Sequence, residues 1–409
     1  MYRMLREKAK GLEREAIDFA KELVRTPSPS LKEGAVAGLV ASKMNELGYD
    51  KVFRDEAGNV VGILFGREKG PNLLCNSHMD CVDVIDEMKW QSDPYSGEVR
   101  KGQLFGRGAS DCKAGLSAQV YAGELLKRSL LPLKGNLIVA ATVAEENGRS
   151  LGVRTLMDKT LPQLELMPTY AVLGEPTELG VHYGHDGWVE IDIKIEGANP
   201  FHVDDAARAV YRDFGEVSSA AGIDGGFESI ALEEPSFKDD SGRRRATIRM
   251  ARRLIQHEKP DGIVAQLQHS ANSVSQMSGS VAVQVQIRQE DQKLYTGRTT
   301  LVRHVTNAWS TDPFHPVVER TRQCLSAAGC EVRPAKWQLD RLGMGTAGSV
   351  LVNDYNTPTV GYGPGSVAMA HAYNESVDTA NIVQAIYGTA VIVHGLIGIP
   401  VFGWTVDAI

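Results

Sequence analysis

Five short segments of the chain hold the residue types that hydrolytic metal sites use. "LLCNSHMD" ends in His78 and Asp80, "LFGRGASDCKAG" carries Asp111, "LIVAATVAEENG" carries Glu145 and Glu146, "YAVLGEPTE" carries Glu175, and "YGPGSVAMAHAYNE" carries His371 and Glu375. Each alone has an ordinary explanation: a hydrogen-bonded His-x-Asp loop, a solvated Glu-Glu doublet, a turn before Pro176, a core histidine. Jointly they bring several potential ligands to one rim, because loops at the carboxyl ends of strands in an open α/β sheet meet in one crevice. Carboxylates buried at that density repel one another unless cations offset them. Two imidazoles, several carboxylates and no thiolate suit zinc, cobalt or manganese. A carboxylate shared by two metals about 3.5–4 Å apart is the arrangement of hydrolytic two-metal sites.

The elements that must position these groups follow from periodicity and punctuation. A helix is expected from about Leu5 to Val24, ended by "RTPSPS", and a second from about Glu33 to Leu47, ended by Gly48. Strands at Val60 to Leu64, Asn72 to Asn76, Asn136 to Val143 and Thr169 to Leu173 alternate with helical stretches such as Gly115 to Lys127. Such alternation predicts an α/β domain with a mixed, largely parallel sheet flanked by helices. Around Leu179 the texture changes. "VHYGHDGWVEIDIKIEG" reads as one long alternating strand, "VDDAARAVYRDFGEVSSAAG" as a helix and "GSVAVQVQIRQ" as another alternating strand, together an inserted smaller α+β unit whose sheet is open on one face. After Trp309 the α/β texture resumes, with a helix near Pro316 to Ala328 and a strand near Thr357 to Gly361. The expected division is a discontinuous α/β domain over 1–178 and 310–409, interrupted by the smaller α+β unit over 179–309.

Composition excludes several classes. With 409 residues, 43% hydrophobic, 23% charged and a net charge of −7, the chain reads as a soluble globular protein large enough for two cores. Its one basic run, "GRRRATIRMARR", follows Glu233, Glu234, Asp239 and Asp240, so a solvated face is expected there and neither nucleic acid nor membrane is an expected partner. Five cysteines, an odd number with no Cys-x-x-Cys pair, point to a reducing, cytoplasmic setting. The stretch "MYRMLREKAKGLEREA" is charged and helix-prone without an apolar h-region, so neither secretion nor membrane insertion is expected from it. The apolar run from Ile382 to Trp404 is interrupted by Gln384, His394, Gly395, Gly398 and Pro400, and reads as a buried helix followed by a strand.

The ordered set "SHMD", "GRGASDCKAG", "AEENG", "GEPTE" and "AHAYNE" resembles the di-zinc aminoacylase and carboxypeptidase family, which includes acetylornithine deacetylase, succinyl-diaminopimelate desuccinylase, the glutamate-releasing carboxypeptidases and aminoacylase. The resemblance spans nearly the whole chain. It implies a catalytic α/β domain interrupted by a lid that makes a homodimer. It also implies two divalent ions per subunit, zinc with cobalt or manganese as alternatives, held by His78, Asp111, Glu146, Glu175 and His371, with Asp111 bridging. Glu145 is implied as the general base for a water activated between the ions, and Asp80 as the group orienting the His78 ring. In the lid, "GANPFHV" corresponds to the oxyanion-stabilising histidine, here His202, usually supplied to the partner's site. "ANSVSQ" and "VQIRQE" correspond to a lid asparagine and a carboxylate-binding arginine, Asn272 and Arg288. The implied reaction is hydrolysis of an N-acyl amino acid or a short peptide beside a free carboxylate, as a deacylase or as an exopeptidase or dipeptidase.

The chain departs from the family where "VDDAARAV" follows His202, over the long charged segment from Gly222 to Pro260, and at "MGTAGSV". Three rival readings stand beside the resemblance. "GMGTAG" matches the Gly-x-Gly-x-x-Gly dinucleotide fingerprint, although no clear strand precedes it. Ser110 and Ser366 lie in Gly-rich loops, but no Gly-x-Ser-x-Gly elbow occurs. A catalytically silent, metal-dependent binder of amino acids or peptides would keep the rim but has no need of Glu145.

Overall fold

The computed structural model describes residues 1–400 except 148, 222, 225, 226, 229, 241, 277, 278 and 340–342, and omits the side chains of 216–221, 223, 224, 227, 228, 274 and 275. An eight-stranded sheet runs in the order Lys51–Arg54, Val60–Leu64, Leu137–Thr142, Leu73–His78, Tyr170–Leu173, Thr359–Gly361, Val181–His182 and Pro334–Ala335. Its four central strands are parallel: Leu73–His78 lies between Leu137–Thr142 and Tyr170–Leu173, and the latter pairs with Thr359–Gly361. Their carboxyl ends therefore open on one edge.

Alternation along these strands feeds two apolar layers. Leu73 and Cys75 join a cluster with Phe19, Leu116, Val120, Ile386 and Val393, whereas Leu74 joins Ile63, Ile138, Leu156 and Leu351 on the opposite face. The helix Thr379–Ile397 is long and apolar enough to cross a membrane, yet Ile382, Ile386, Ala390 and Ile392 are fully buried, as a core helix requires. The strand expected after it reaches 401–404, outside the described residues. At the N-terminus two helices, Tyr2–Gly11 and Glu13–Arg25, replace the single one expected. Gly11 is a poor helix former, and the break at Leu12 lets Leu5 and Ala9 as well as Ala16 and Phe19 reach the core.

The second sheet is smaller and antiparallel. Gly187–Gly197 pairs with Arg243–Leu254, Ala282–Ile287 and Val305–Thr306, while Ile230–Leu232 and Ser236–Asp240 extend it along Arg243–Leu254. Val189, Ile191, Ile193 and Ile195 bury one face beneath helix Pro200–Ala221 through Val203, Ala207 and Val210. The long strand expected from Val181 to Gly197 is broken into Val181–His182, Gly184–His185 and Gly187–Gly197. At Gly187 a Cβ would lie 2.1 Å from the Thr306 carbonyl oxygen, so the backbones approach there as only glycine allows. Val181–His182 belongs instead to the large sheet. The basic run lies on Arg243–Leu254, where Arg244 pairs with Asp204 and Asp239 at 2.9 Å and Arg252 pairs with Glu258 at 2.8 Å.

Candidate metal centre

His78 is the last residue of a buried parallel strand, and its ring points out of the sheet edge. Nδ1 lies 2.9 Å from the Asp80 backbone carbonyl, which can only accept, so Nδ1 carries a proton and Nε2 is the nitrogen that faces the centre. Nε2 is 3.1 Å from Asp111 Oδ1 and 3.7 Å from Glu175 Oε2. On the other side His371 Nε2 is 3.5 Å from Asp111 Oδ2 and 3.0 Å from Glu146 Oε1. Each oxygen of Asp111 thus faces a different imidazole. Two donor groups result, His78/Asp111/Glu175 with Cys112 nearby and Asp111/Glu146/His371, with donor atoms in each within 4.8 Å of one another.

The thiol of Cys112 is engaged elsewhere. It accepts the His78 backbone N–H at 3.2 Å, and burial raises its pKa far above the ordinary thiol range, which suits a packing residue and not a thiolate ligand. Cys75 and Cys81 are also buried and free.

Asp111 is not delivered by a sheet strand. It sits in Ala109–Lys113, leading into helix Ala114–Arg128, and a fully buried carboxylate holds that loop. Glu375 accepts the backbone N–H groups of Gly108, Ser110 and Asp111 at 2.9, 2.8 and 3.0 Å, and Arg107 Nη1 donates to it at 2.8 Å. Sequence reasoning quoted Glu375 without giving it this part. Asp80 also does more than expected. Its carboxylate Oδ1 stands 3.5 Å from His78 Nδ1, farther than its own carbonyl; instead Oδ1 accepts the Glu145 N–H at 3.1 Å, and Oδ2 accepts the Glu146 N–H at 3.0 Å and the Ser30 hydroxyl at 2.6 Å.

Glu145 belongs to neither donor group. Ser150 Oγ donates to its Oε1 at 2.9 Å, and its buried Oε2 has no hydrogen-bond partner among the described residues. Burial pushes its carboxyl up to about 8, and likewise Glu175 up to about 7. For His371, burial disfavours the cation, but Glu146 and Asp111 outweigh it and raise the pKa to about 9. The rim therefore concentrates more negative charge than its imidazoles offset, and its hard oxygen and imidazole donors fit two divalent cations. A pocket opens here, lined by His78, Asp111, Glu145, Glu146, Arg149 and His371 together with Thr306 and the loop Gly343 to Gly345.

The three lid positions lie outside this lining. His202 is on helix Pro200–Ala221, its ring against Gly279. Asn272, on helix Pro260–Ser275, accepts a hydrogen bond from Gln268 at 2.9 Å. Arg288 donates to Glu190 at 2.5 Å and Glu290 at 2.8 Å. Arg149, which does line the pocket, was not singled out in the sequence. Of the rival sites, Ser110 Oγ is spent bracing Ser366, donating to its carbonyl at 3.0 Å and accepting its N–H at 2.8 Å. The "GMGTAG" loop packs on the smaller sheet, where a Cβ at Gly345 would meet Thr306 at 2.6 Å, and its Gly343 to Gly345 stretch lines the same pocket as the carboxylates.

Comparison with known proteins agrees with this geometry. Residues 74–394 match the model of Peptidase family M20/M25/M40. The chain is 27% identical over 397 residues to "Uncharacterized protein YgeY" of Escherichia coli (strain K12), covering 93% of this chain and 94% of that protein. It is 26% identical over 421 residues to the N-formyl-4-amino-5-aminomethyl-2-methylpyrimidine deformylase of Bacillus subtilis, again covering 93% and 94%. Among solved structures, the di-peptidase Dug1p of Saccharomyces cerevisiae superposes with a TM-score of 0.70 at 13% identity, covering 97% and 98%, a likeness of fold. On this match and this carboxylate–imidazole rim, the chain belongs to peptidase family M20/M25/M40 and is a metal-dependent hydrolase of amide bonds.

Proposed function

We propose that the protein hydrolyses the amide bond of an N-acyl amino acid or short peptide bearing a free carboxylate, with Glu145 as general base. The observation that carries this reading is Glu145 itself: a buried carboxyl lining the pocket beside both donor groups, with Oε2 unpartnered among the described residues. His78, Asp111 and Glu175 would hold one cation, and His371, Asp111 and Glu146 the other, zinc suiting the mixed imidazole and carboxylate donors. Bound there, two divalent cations supply Lewis acidity, polarising a carbonyl oxygen and acidifying water. Glu145 takes a proton from the attacking water and passes it to the leaving nitrogen, so that carboxyl returns to its starting state in each cycle. Ser150 fixes Glu145 from one side, and Asp80 fixes the backbone that carries it.

The smaller unit, taken as 179–309, acts in this reading as lid and homodimer interface, with His202 donating to the developing oxyanion of the partner's site. The protein works in the cytoplasm, consistent with five free cysteines. The test is a panel of N-acetyl and N-succinyl amino acids and dipeptides with the zinc-, cobalt- or manganese-loaded protein. Turnover by the wild type that vanishes in Glu145→Gln, with ligand affinity kept, is expected. A wild type that binds members of the panel and cleaves none would favour the silent binder.

A further inference from the structure

We infer that Arg149 is the anchor for the substrate carboxylate, a role that rests on the proposed amide hydrolysis and differs from the one sequence resemblance gives Arg288. Arg149 is the one Lys or Arg lining the pocket among the described residues, where three carboxylates, Asp111, Glu145 and Glu146, would otherwise repel an anionic substrate. Its side chain is only 11% exposed and is held from three directions. The guanidinium carbon stacks 4.0 Å above the Trp188 ring, Nη1 donates to the Glu146 carbonyl at 2.7 Å, and Nη2 stands 3.5 Å from Glu190 Oε1. The Nε–H is buried and has no hydrogen-bond partner among the described residues. A planar cation so oriented, with donor capacity left over, matches the two-oxygen face of a carboxylate.

Arg288 lacks that capacity. Its fork is spent on Glu190 at 2.5 Å and Glu290 at 2.8 Å, with His304 packed 3.3 Å from each of the same carboxylates. Because Glu190 is shared by Arg288, His304 and the longer Arg149 contact, Arg288 neutralises the acid that would otherwise monopolise Arg149. Arg288 is thereby a positioning residue, and Arg149 is left for the ligand.

The test measures calorimetric binding of N-acetyl amino acids and dipeptides, each beside its C-terminal carboxamide, to zinc-loaded Glu145→Gln protein, with kcat/KM measured in the Glu145 background. Charge-assisted hydrogen bonds predict about a tenfold to hundredfold preference for acid over carboxamide. Arg149→Gln should bring that ratio to within about twofold of unity, Arg149→Lys should leave it intermediate, and Arg288→Gln should retain most of it. An unchanged ratio in Arg149→Gln overturns the assignment, as does a zinc-loaded parent that binds acid and amide alike or binds neither. Should Arg149→Gln fail to fold, an undiminished ratio in Arg149→Lys overturns it equally. Absence of turnover in the Glu145 protein with the binding ratios as expected would sink the hydrolase reading alone.

Discussion

Asp80 and Glu145 are joined across two strands: the Asp80 carboxylate oxygen Oδ1 accepts the Glu145 backbone N–H at 3.1 Å, while its own main-chain carbonyl meets the His78 ring at 2.9 Å. One residue thereby sets both a ligand's tautomer and the position of the proposed base. Glu33 backs this pair, accepting the Ala144 N–H at 3.0 Å just before Glu145.

Asp80→Asn keeps the shape and the main-chain carbonyl but removes the charge, and its NH2 group must face one of the donors that the carboxylate now satisfies. Outer partners of metal ligands are typically worth 10–100-fold in activity or metal affinity, and a loss of about that size in kcat/KM is expected. Steady-state kinetics with saturating cation would show it. A variant within about twofold of wild type would mean that the loop is positioned without Asp80.

Glu375 is the corresponding brace for Asp111, accepting three backbone N–H groups and the buried Arg107. Glu375→Ala strands a guanidinium that is 4% exposed and should cost about 3–5 kcal/mol in urea unfolding. Glu375→Gln, which still offers one oxygen, should cost about 1–3 kcal/mol. Equal losses for the two would show that shape and not charge is what holds the loop.

Much of this centre is legible in the sequence for a geometric reason. A polar residue just after an apolar run in a parallel strand has one edge to occupy, so His78, Glu145, Glu146 and Glu175 could be gathered without coordinates. Asp111 could be gathered with them although no strand of the large sheet carries it; it reaches the rim from the loop entering helix Ala114–Arg128. The supports were hidden by distance along the chain: Glu375 binds the Asp111 N–H across 264 positions, and Arg288 meets Glu190 across 98. A short "VQIRQE" match cannot disclose that its guanidinium is already spent. The broken strand before Gly187 failed similarly, since the approach of Thr306 is a tertiary fact.

Chelation gives a prediction with a definite sign. Glu145 near 8, Glu175 near 7 and His371 near 9 are all raised above their ordinary values, so the folded, cation-free protein binds these protons more tightly than the unfolded chain does. The associated stability is complete below the ordinary pKa of each group and is lost as pH rises through the folded one. Between about pH 7 and 9, above the ordinary histidine pKa, where the lowered histidines His182, His185 and His394 contribute little, Tm of chelated protein should fall. Zinc takes the place of the Glu175 and His371 protons and binds the native state selectively, so saturating zinc should raise Tm and flatten the decline. Scanning calorimetry at several pH values decides it: a Tm that climbs with pH in chelator, or parallel curves with and without zinc, would contradict the two-cation reading.

His202 lies on helix Pro200–Ala221, away from the pocket of its own chain, and the proposed dimer predicts where it acts. If each site combines Glu145 of one subunit with the histidine of the other, His202→Ala and Glu145→Gln should each be nearly inactive. Mixing them by dissociation and reassociation should then restore activity. In a mixed dimer one site pairs the intact Glu145 with the intact histidine from across the interface, and the other site carries both substitutions. Random reassociation makes half the dimers mixed, with one working site in two, so recovery should approach about a quarter of wild type, as expected for a two-fold interface. A histidine serving its own subunit gives no recovery, because every site then retains one substitution. Size-exclusion chromatography of the mixture confirms that dimers have formed, and their formation without recovered activity would remove His202 from the partner's site.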